Sequence, residues 1–192
     1  MEKIESLNQE IHNAFEIIKE GGIILYPTDT VWGIGCDATN PEAVAKIYKL
    51  KKRAETQSMI VLMNGEKMMY NVFKDIPEVA WQIMDLSEKP TTLILDKPRN
   101  VAPNLIAADN TLGIRIVKEP FCFKLMEKMK KPLVSTSANI SGQPTPITFA
   151  AISPEIINGV DYVVNLHRDK IAGKPSTIIK ITNDSQVKVI RK

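Results

Sequence analysis

The spacing of apolar residues near the start of the chain predicts an amphipathic helix followed by a buried strand. Apolar residues at three- and four-residue steps, the period of a helix with one buried face, are Leu7, Ile11, Phe15 and Ile18. Ser6 is a candidate N-cap, so the helix is expected over 6–20, where two glycines follow. The apolar run 23–26 then predicts an interior strand, which Pro27 ends because proline cannot donate to a strand ladder.

The same two patterns continue along the chain and predict that helices alternate with strands. A second helix is expected to begin at Pro41, with Asn40 as its N-cap. Further helices are predicted at 79–86 and 120–130, and strands at 59–63, 91–95, 112–117, 133–136, 162–166, 177–181 and 187–190. This order predicts an α/β fold, a twisted mixed β-sheet with flanking helices. No repeat or long linker interrupts it, so a single domain over 1–192 is expected.

Composition limits the classes of function that the chain can serve. Its 25 lysines and arginines nearly balance 22 aspartates and glutamates, and the net charge of +3 permits phosphate-bearing partners without demanding them. Two cysteines and two histidines argue against a disulfide scaffold, a zinc site and a serine–histidine–aspartate triad, so no protein-held metal site is predicted. The polar start and the lack of an apolar run of roughly 18 residues predict a cytoplasmic protein with no membrane partner.

Two polar segments at strand ends carry most of the candidate chemistry. The first spans 26–36 and places Thr28 and Thr30 directly after a strand, and the second spans 132–142 and is rich in hydroxyls around Ser137. Ligands of α/β proteins bind beyond the strand ends, which favours a site here. An ordinary turn shaped by short polar side chains is the alternative for the first segment. Because no base lies close to the second in sequence, hydrogen bonding to a nucleotide or an oxyanion is favoured over a nucleophilic serine.

Cations lie between these segments and inside one predicted strand. Lys51 and Arg53 come where the second helix should end, a position from which they can clamp phosphate oxygens. A solvated basic helix end is the alternative. Arg115 is flanked by isoleucines and therefore points to the opposite face of its strand. If that face is buried, the guanidinium needs an anionic partner such as a ligand carboxylate, and if it is half exposed, Arg115 is an ordinary surface residue.

Taken together, these segments resemble the YrdC/TsaC family, the threonylcarbamoyl-AMP synthases. The matching residues, in the family's order, are Tyr26-Pro27-Thr28-Asp29-Thr30, Gly33, Gly35, Lys51, Arg53, Gly113-Ile114-Arg115, Ser135 to Gly142, Ser176-Thr177 and Arg191. The Tyr-Pro-Thr and Ser-x-Asn-x-Ser-Gly segments are highly specific when they occur together. The resemblance implies a YrdC-like twisted sheet with a large concave basic face, in the short single-domain form.

By resemblance, the expected activity joins L-threonine, bicarbonate and ATP into threonylcarbamoyl-AMP and pyrophosphate, which would make the protein a nucleotidyltransferase. Mg²⁺ is expected to arrive with the nucleotide. No protein nucleophile is needed, since positioning and charge neutralisation can supply most of the acceleration. A downstream threonylcarbamoyl-transferase complex is expected to move the group to an adenosine of tRNA, giving the t6A modification. Direct binding of tRNA is a further expectation that the family raises.

The resemblance also assigns roles to individual positions. The residues expected to bind L-threonine are Thr30, Arg115, Ser137 and Ser176, with the arginine taking the carboxylate. The residues expected to bind ATP are Lys51, Arg53, Thr111, Asn139 and Arg191. Of these, Lys51 and Arg53 are also the expected catalytic residues, because they would neutralise charge on the phosphates as pyrophosphate leaves.

Three positions depart from the family's pattern. The segment 87–92 lacks the usual Trp-, Pro- and Gly-rich loop, and Ala54 replaces a proline after the cations. Leu62 stands where some relatives place a histidine that contacts threonine, and a leucine cannot make that hydrogen bond. We expect these departures to affect loop geometry and substrate affinity while the reaction class is kept.

Two other classes of function stay open at this point. An RNA-binding module of the same fold, without synthase activity, could use the cations of 46–53, although few aromatic residues are available for base stacking. Carbamoyl transfer, as in a related domain of hydrogenase-maturation proteins, normally comes with extra modules. Salt separates the classes, because RNA binding falls steeply with salt and threonine binding does not.

Overall fold

The computed structural model describes residues 2–55 and 57–192, and within them six α-helices flank a nine-stranded sheet. The helices are α1 Glu2–Lys19, α2 Pro41–Leu50, α3 Glu66–Val72, α4 Glu78–Leu86, α5 Pro120–Met129 and α6 Pro154–Gly159. The strands are β1 Ile24–Tyr26, β2 Gly33–Gly35, β3 Ile60–Met63, β4 Thr91–Asp96, β5 Thr111–Ile116, β6 Leu133–Ser137, β7 Tyr162–Val163, β8 Thr177–Ile181 and β9 Val187–Arg191. Two 3₁₀ turns lie at Pro103–Leu105 and Phe149–Ala151.

The strands form one mixed sheet in the order β7-β1-β2-β6-β3-β5-β4-β8-β9. Three neighbouring pairs are parallel, namely β1 with β7, β3 with β5 and β4 with β8, and the other five are antiparallel. This arrangement confirms the predicted α/β class with a mixed sheet. It also brings β6, late in the sequence, between the early strands β2 and β3, so both polar segments meet in space.

Helices cover the two faces of the sheet unequally. On one face, α1 and α5 pack on β1, β3 and β6 around Tyr26, Leu62 and Phe121. On the other face, a larger core joins α2, α3 and α4 to strands across the sheet. Arg115 is the register partner of Leu62 and therefore lies on the α1/α5 side. Within the described residues, however, the α1/α5 core includes nothing from β4, β5, β8 or β9, and this part of the face forms the site.

The boundaries of two elements differ from the prediction. The N-cap prediction at Ser6 is wrong, since α1 already begins at Glu2 and Ser6 lies inside it. Residues 2–5 include two glutamates and a lysine, which are good helix formers, so the helix extends toward the start of the chain. The strand predicted over 162–166 ends at Val163, although Val164 still donates a hydrogen bond to the carbonyl of Leu25.

Three short elements, β2, α3 and α6, were not predicted from the pattern of apolar residues. The sequence of β2 is Gly-Ile-Gly, which has no apolar run. Its glycines reflect close packing, because a Cβ on Gly35 would lie 2.2 Å from the carbonyl oxygen of Val134. The six residues of α6 follow Ser153, whose side chain accepts a hydrogen bond from the amide of Ile156. Elements this short contain too few repeats of the apolar period for a helix or a strand to be recognised from the sequence.

Candidate functional site

A cavity of about 270 Å³ lies on the sheet face beyond α1 and α5. Its walls come from seven strands, β2, β3, β4, β5, β6, β8 and β9, and from adjoining loops. The described lining residues are Thr28, Thr30, Val31, Gly33, Arg53, Ser58, Met59, Ile60, Thr92, Arg115, Ser135, Thr136, Ser137, Thr145, Pro175, Ser176, Ile178 and Arg191. Nine of them are serines or threonines and three are arginines, so the cavity suits a polar, anionic ligand.

The first polar segment forms a tight turn that presents hydroxyls to this cavity. After β1, Thr28 Oγ1 accepts a hydrogen bond from the amide of Thr30 at 3.0 Å and lies 2.8 Å from the carbonyl oxygen of Val31. The hydroxyls of Thr28 and Thr30 are 3.0 Å apart. The turn interpretation is confirmed, and the bonds that shape the turn also hold its hydroxyls in the cavity wall.

Arg115 is a buried cation at the end of β5 with an ion-pair partner from the first segment. The residue is 3% exposed, and its Nη2 lies 2.8 Å from Asp29 Oδ1 and 3.3 Å from Thr30 Oγ1. The sequence left open whether its face of the strand is buried, and the structure shows that it is. Arg115 Nε is buried and makes no hydrogen bond within the described residues. Arg115 also lines the cavity, so its guanidinium is the cation that an anionic ligand there would meet.

The end of β6 supplies a row of hydroxyls opposite Arg115. Ser135, Thr136 and Ser137 all line the cavity, and β6 is fixed there by its pairing with β2 and β3. The hydroxyl of Tyr26 donates to the carbonyl of Val134 at 2.9 Å, and burial raises the pKa of that phenol, so it stays a neutral donor. Glycine at position 33 keeps this row accessible, because an added Cβ would lie 3.2 Å from Ser135 Oγ.

Arg53 reaches the cavity because the chain reverses after α2. Lys52 adopts a left-handed φ of 50°, and the amide of Arg53 bonds back to the carbonyl of Tyr48 at 3.0 Å. The guanidinium then donates from Nε to the carbonyl of Gln57 at 2.7 Å and from Nη2 to that of Ser58 at 2.9 Å. These bonds fix its planar fork at the rim, with remaining donors available to an anion.

Lys51 does not line the cavity, in contrast to the predicted phosphate clamp. The residue is 1% exposed, and its Nζ donates to the carbonyls of Ser137 and Asn139, the latter at 2.6 Å. Its own carbonyl accepts from the amide of Ser141 at 2.8 Å. Burial, with a smaller contribution from Arg53, lowers the pKa of Lys51 to about 7. The side chain braces the loop after β6, and this geometry does not support a direct role at a phosphate.

Ser176 lies on the opposite wall, just before β8. Its hydroxyl is 2.8 Å from the hydroxyl of Thr92 on β4, and both residues are buried. Its carbonyl accepts two hydrogen bonds from Arg191 on β9, from Nε at 3.1 Å and Nη2 at 2.8 Å. Arg191 therefore lines the cavity while it holds the segment before β8 in place.

Two further predicted ATP-binding residues do not reach the cavity. Thr111 lies at the opposite end of β5 from Arg115, and its hydroxyl donates to Asp109 Oδ1 at 2.7 Å. The amide of Asn139 donates to the carbonyls of Ile140 and Gln143 at 2.9 and 2.8 Å, which closes its own loop. The structure thus brings together six of the nine predicted residues, namely Thr30, Arg53, Arg115, Ser137, Ser176 and Arg191.

Sequence reasoning did not single out Thr92, and the structure places Leu62 outside the cavity lining. Thr92 interrupts the apolar run of β4 with a buried hydroxyl, and this polar position on the inner face of a strand was the available signal. Leu62 was expected to cost a contact with threonine. It is fully buried in the α1/α5 core, and the residue of β3 that lines the cavity is Ile60, two positions earlier on the same face.

The charge of the cavity comes from arginines. The described lining includes Arg53, Arg115 and Arg191 and no aspartate or glutamate. Nowhere in the described chain do three or more histidine, cysteine, aspartate or glutamate side chains cluster closely enough to hold a metal ion. Of the described helices, none combines the length and apolar character that crossing a membrane requires.

The fold and the site together define a class: an α/β protein with a mixed sheet and a cavity lined by arginines and hydroxyls. The chain belongs to the Sua5/YciO/YrdC family, whose model, described as telomere recombination, matches residues 16–192. A Methanocaldococcus jannaschii protein provisionally named threonylcarbamoyl-AMP synthase is 35% identical over 193 aligned positions, which cover 97% of this chain and 90% of that protein. The resemblance found in the sequence is therefore confirmed.

Two solved structures are similar to this chain over most of its length. Escherichia coli YciO has a TM-score of 0.81 and 26% identity, covering 95% of this chain and 88% of that one. Pyrococcus abyssi Sua5 complexed with L-threonine has a TM-score of 0.78 and 26% identity, covering 89% of this chain and 50% of that one. The chain thus spans about half of the Sua5 protein and nearly all of YciO.

Proposed function

We propose that this protein is an L-threonylcarbamoyl-AMP synthase, which forms its product and pyrophosphate from L-threonine, bicarbonate and ATP. The observation that carries the proposal is the buried guanidinium of Arg115 in the wall of a cavity lined by hydroxyls. The relative from Methanocaldococcus jannaschii, which bears the synthase name, matches nearly the whole chain and supports this function. The L-threonine complex of Sua5 supports an amino-acid ligand for the cavity.

L-threonine binds in this proposal on the floor of the cavity. Arg115 receives the carboxylate, because it is a cation in the cavity wall and charge-assisted hydrogen bonds to a carboxylate are strong. The hydroxyls of Thr30, Ser137 and Ser176 surround the rest of the amino acid. Hydroxyls both donate and accept, which suits the mixed amine and hydroxyl of threonine.

ATP binds toward the rim, where Arg53 and Arg191 face its phosphates. Lys51 and Asn139 enter the proposal indirectly, since their hydrogen bonds hold the loop that follows Ser137. Thr111 has no part in it. The described lining offers no carboxylate to Mg²⁺, so the ion is proposed to arrive bound to the triphosphate as part of the substrate.

The chemistry requires positioning more than a reactive side chain. The amine of threonine attacks bicarbonate and forms a carbamate with loss of water, and a carbamate oxygen then attacks the α-phosphorus and expels pyrophosphate. Arg53 and Arg191 neutralise charge that builds on the phosphate oxygens, and Arg115 holds the amino acid in line. The mixed anhydride product is unstable, so a threonylcarbamoyl-transferase acting on tRNA is the proposed consumer. The cytoplasm, where tRNA is modified, is the proposed location.

The test is release of pyrophosphate from ATP, measured with and without L-threonine and with and without bicarbonate. We expect release only when both are present. Arg53→Ala should lower the rate about 100-fold or more, the usual cost of losing a group that stabilises transition-state charge.

The matched control is Arg99→Ala, because the guanidinium of Arg99 bonds the carbonyl of Tyr70 and neither residue lines the cavity. This variant should keep the wild-type rate. Release that does not depend on threonine would overturn the proposed function, and a retained rate in Arg53→Ala would overturn the role of that arginine. Titration of RNA against salt would then test the binding-module alternative.

A further inference from the structure

Thr92 lies in the cavity wall, and its hydroxyl contacts a predicted substrate-binding residue. Thr92 is 1% exposed, and its Oγ1 is 2.8 Å from Ser176 Oγ. It lies on the inner face of β4, where its register partner in the parallel strand β8 is Ile178.

The donor and acceptor roles within this pair follow from how each hydroxyl can be satisfied. Among the described residues, Thr92 Oγ1 has Ser176 as its hydrogen-bond partner and no other. If Ser176 donated to Thr92, the Thr92 proton would be buried without an acceptor, which costs free energy. If Thr92 donates to Ser176, the Ser176 proton is left to point into the cavity. The second arrangement leaves no buried proton unsatisfied.

Ser176 is held rigidly enough for this direction to matter. Arg191 makes two hydrogen bonds to its carbonyl, and the next amide, of Thr177, donates to the carbonyl of Pro90 just before β4. The backbone of Ser176 is therefore held by the side chain of Arg191 on β9 and, through the next amide, by the segment just before β4. A fixed backbone leaves the hydroxyl rotation as the main freedom of Ser176, and Thr92 removes it.

We propose that Thr92 is a positioning residue that fixes the Ser176 hydroxyl as a hydrogen-bond donor to an oxygen of L-threonine. The proposal rests on the proposed function. The described lining of the cavity carries arginines and hydroxyls and no carboxylate, so it favours the oxygen atoms of a ligand. We therefore take the acceptor of the Ser176 proton to be an oxygen of L-threonine. Thr92 itself does not touch the substrate and acts through Ser176.

The experiment measures L-threonine affinity by calorimetry in Thr92→Val, Thr92→Ser and the wild type. Valine keeps the branched shape and the strand preference but removes the hydroxyl, so we expect the affinity for threonine to fall about three- to tenfold. Serine restores the hydroxyl and should restore most of the affinity. In steady-state assays the KM for threonine should rise in Thr92→Val, whereas the KM for ATP should stay unchanged.

Thr91→Val is the matched control, because Thr91 is the neighbour on the other face and its hydroxyl bonds the carbonyl of Lys89. Ser176→Ala should lower threonine affinity as Thr92→Val does, and the double variant should be no worse than Ser176→Ala. This series remains informative if Thr92→Val folds poorly, since full affinity in Ser176→Ala alone would overturn the proposal. A wild type that binds no threonine would overturn the proposed function itself, and equal loss in Thr91→Val and Thr92→Val would overturn only the role of Thr92.

Discussion

At the scale of single residues, the pairing of Asp29 with Arg115 makes a buried cation tolerable beside the cavity. The Arg115 side chain is 4% exposed and that of Asp29 is 23% exposed. A charge taken out of water costs several kcal/mol unless a partner and hydrogen bonds compensate. Nη2 of the guanidinium bonds Asp29, and Arg115 still lines the cavity. The pair thus stabilises the fold and keeps Arg115 available for binding.

Asp29→Asn should lower the free energy of unfolding by about 1–3 kcal/mol, since it leaves the Arg115 charge without a counter-ion while preserving shape. Urea denaturation measures this change. Asp109→Asn is the control, because Asp109 pairs with Lys180 on the surface with 55% of its side chain exposed, and such pairs contribute about 0–1 kcal/mol. Equal losses in the two variants would show that Asp29 does not compensate a buried charge.

The sequence could predict that Arg115 needs an anionic partner but could not name it. The period of strand residues showed which way the side chain points, because alternation is local. Whether that face is buried depends on segments distant in sequence, and the ion-pair partner lies 86 residues away in the chain. Local patterns carry no information on such contacts. The same limit explains Lys51, whose cationic neighbours suggested a phosphate clamp although its amine ends among backbone carbonyls.

At the scale of elements, Lys51 couples the end of α2 to the loop after β6. Its amine bonds two carbonyls of that loop and its own carbonyl receives the amide of Ser141. A neutral amine has two N–H groups, so these two bonds persist when the proton is lost. The segment carrying Ser137 is therefore held by α2, and a change at Lys51 should reach the cavity through the backbone.

Lys51 should make the stability of the protein depend on pH. Burial lowers the folded-state pKa of Lys51 from 10.5 to about 7. Between these values the unfolded chain holds a proton that the folded protein has released, so the contribution of this group to stability increases as pH rises through that window. Urea unfolding at pH 7 and pH 9 should show this increase in the wild type and its loss in Lys51→Met. Lys49→Met, an exposed change on the same helix, should behave like the wild type, and identical profiles in all three would contradict the role of burial.

Thr111 shows that a role assigned by resemblance does not tell at which end of a strand the residue lies. Thr111 and Arg115 share a face of β5, but four residues of strand separate them by about 13 Å. Arg115 lies at the cavity end and Thr111 at the far end, bonded to Asp109. The strand β5 contributes Arg115 to the cavity but not Thr111, because the position along the strand decides which residues the cavity can include.

At the scale of the whole molecule, the site exists because strands distant in sequence become neighbours. The periods of apolar residues predicted the α/β class and most elements, since amphipathic faces must be buried. They could not predict that β6 lies between β2 and β3, because strand order depends on long-range pairing. The cavity draws on seven of the nine described strands, so its residues could be listed from motifs but not assembled from patterns.

The cavity is lined by strands from the middle of the sheet to its β9 edge, so ligand binding should stabilise strands that are far apart in the sheet. β6 contributes one wall and the exposed edge strand β9 contributes another through Arg191, so a ligand that contacts both should suppress local opening of each. Hydrogen exchange with saturating L-threonine and a non-hydrolysable ATP analogue should slow at amides of Leu133–Ser137 and Val187–Arg191, while α1, which lies outside the cavity, stays unchanged. In Arg191→Ala the protection of β9 should be lost and that of β6 retained. Protection confined to β6 in the wild type would mean that β9 takes no part in binding.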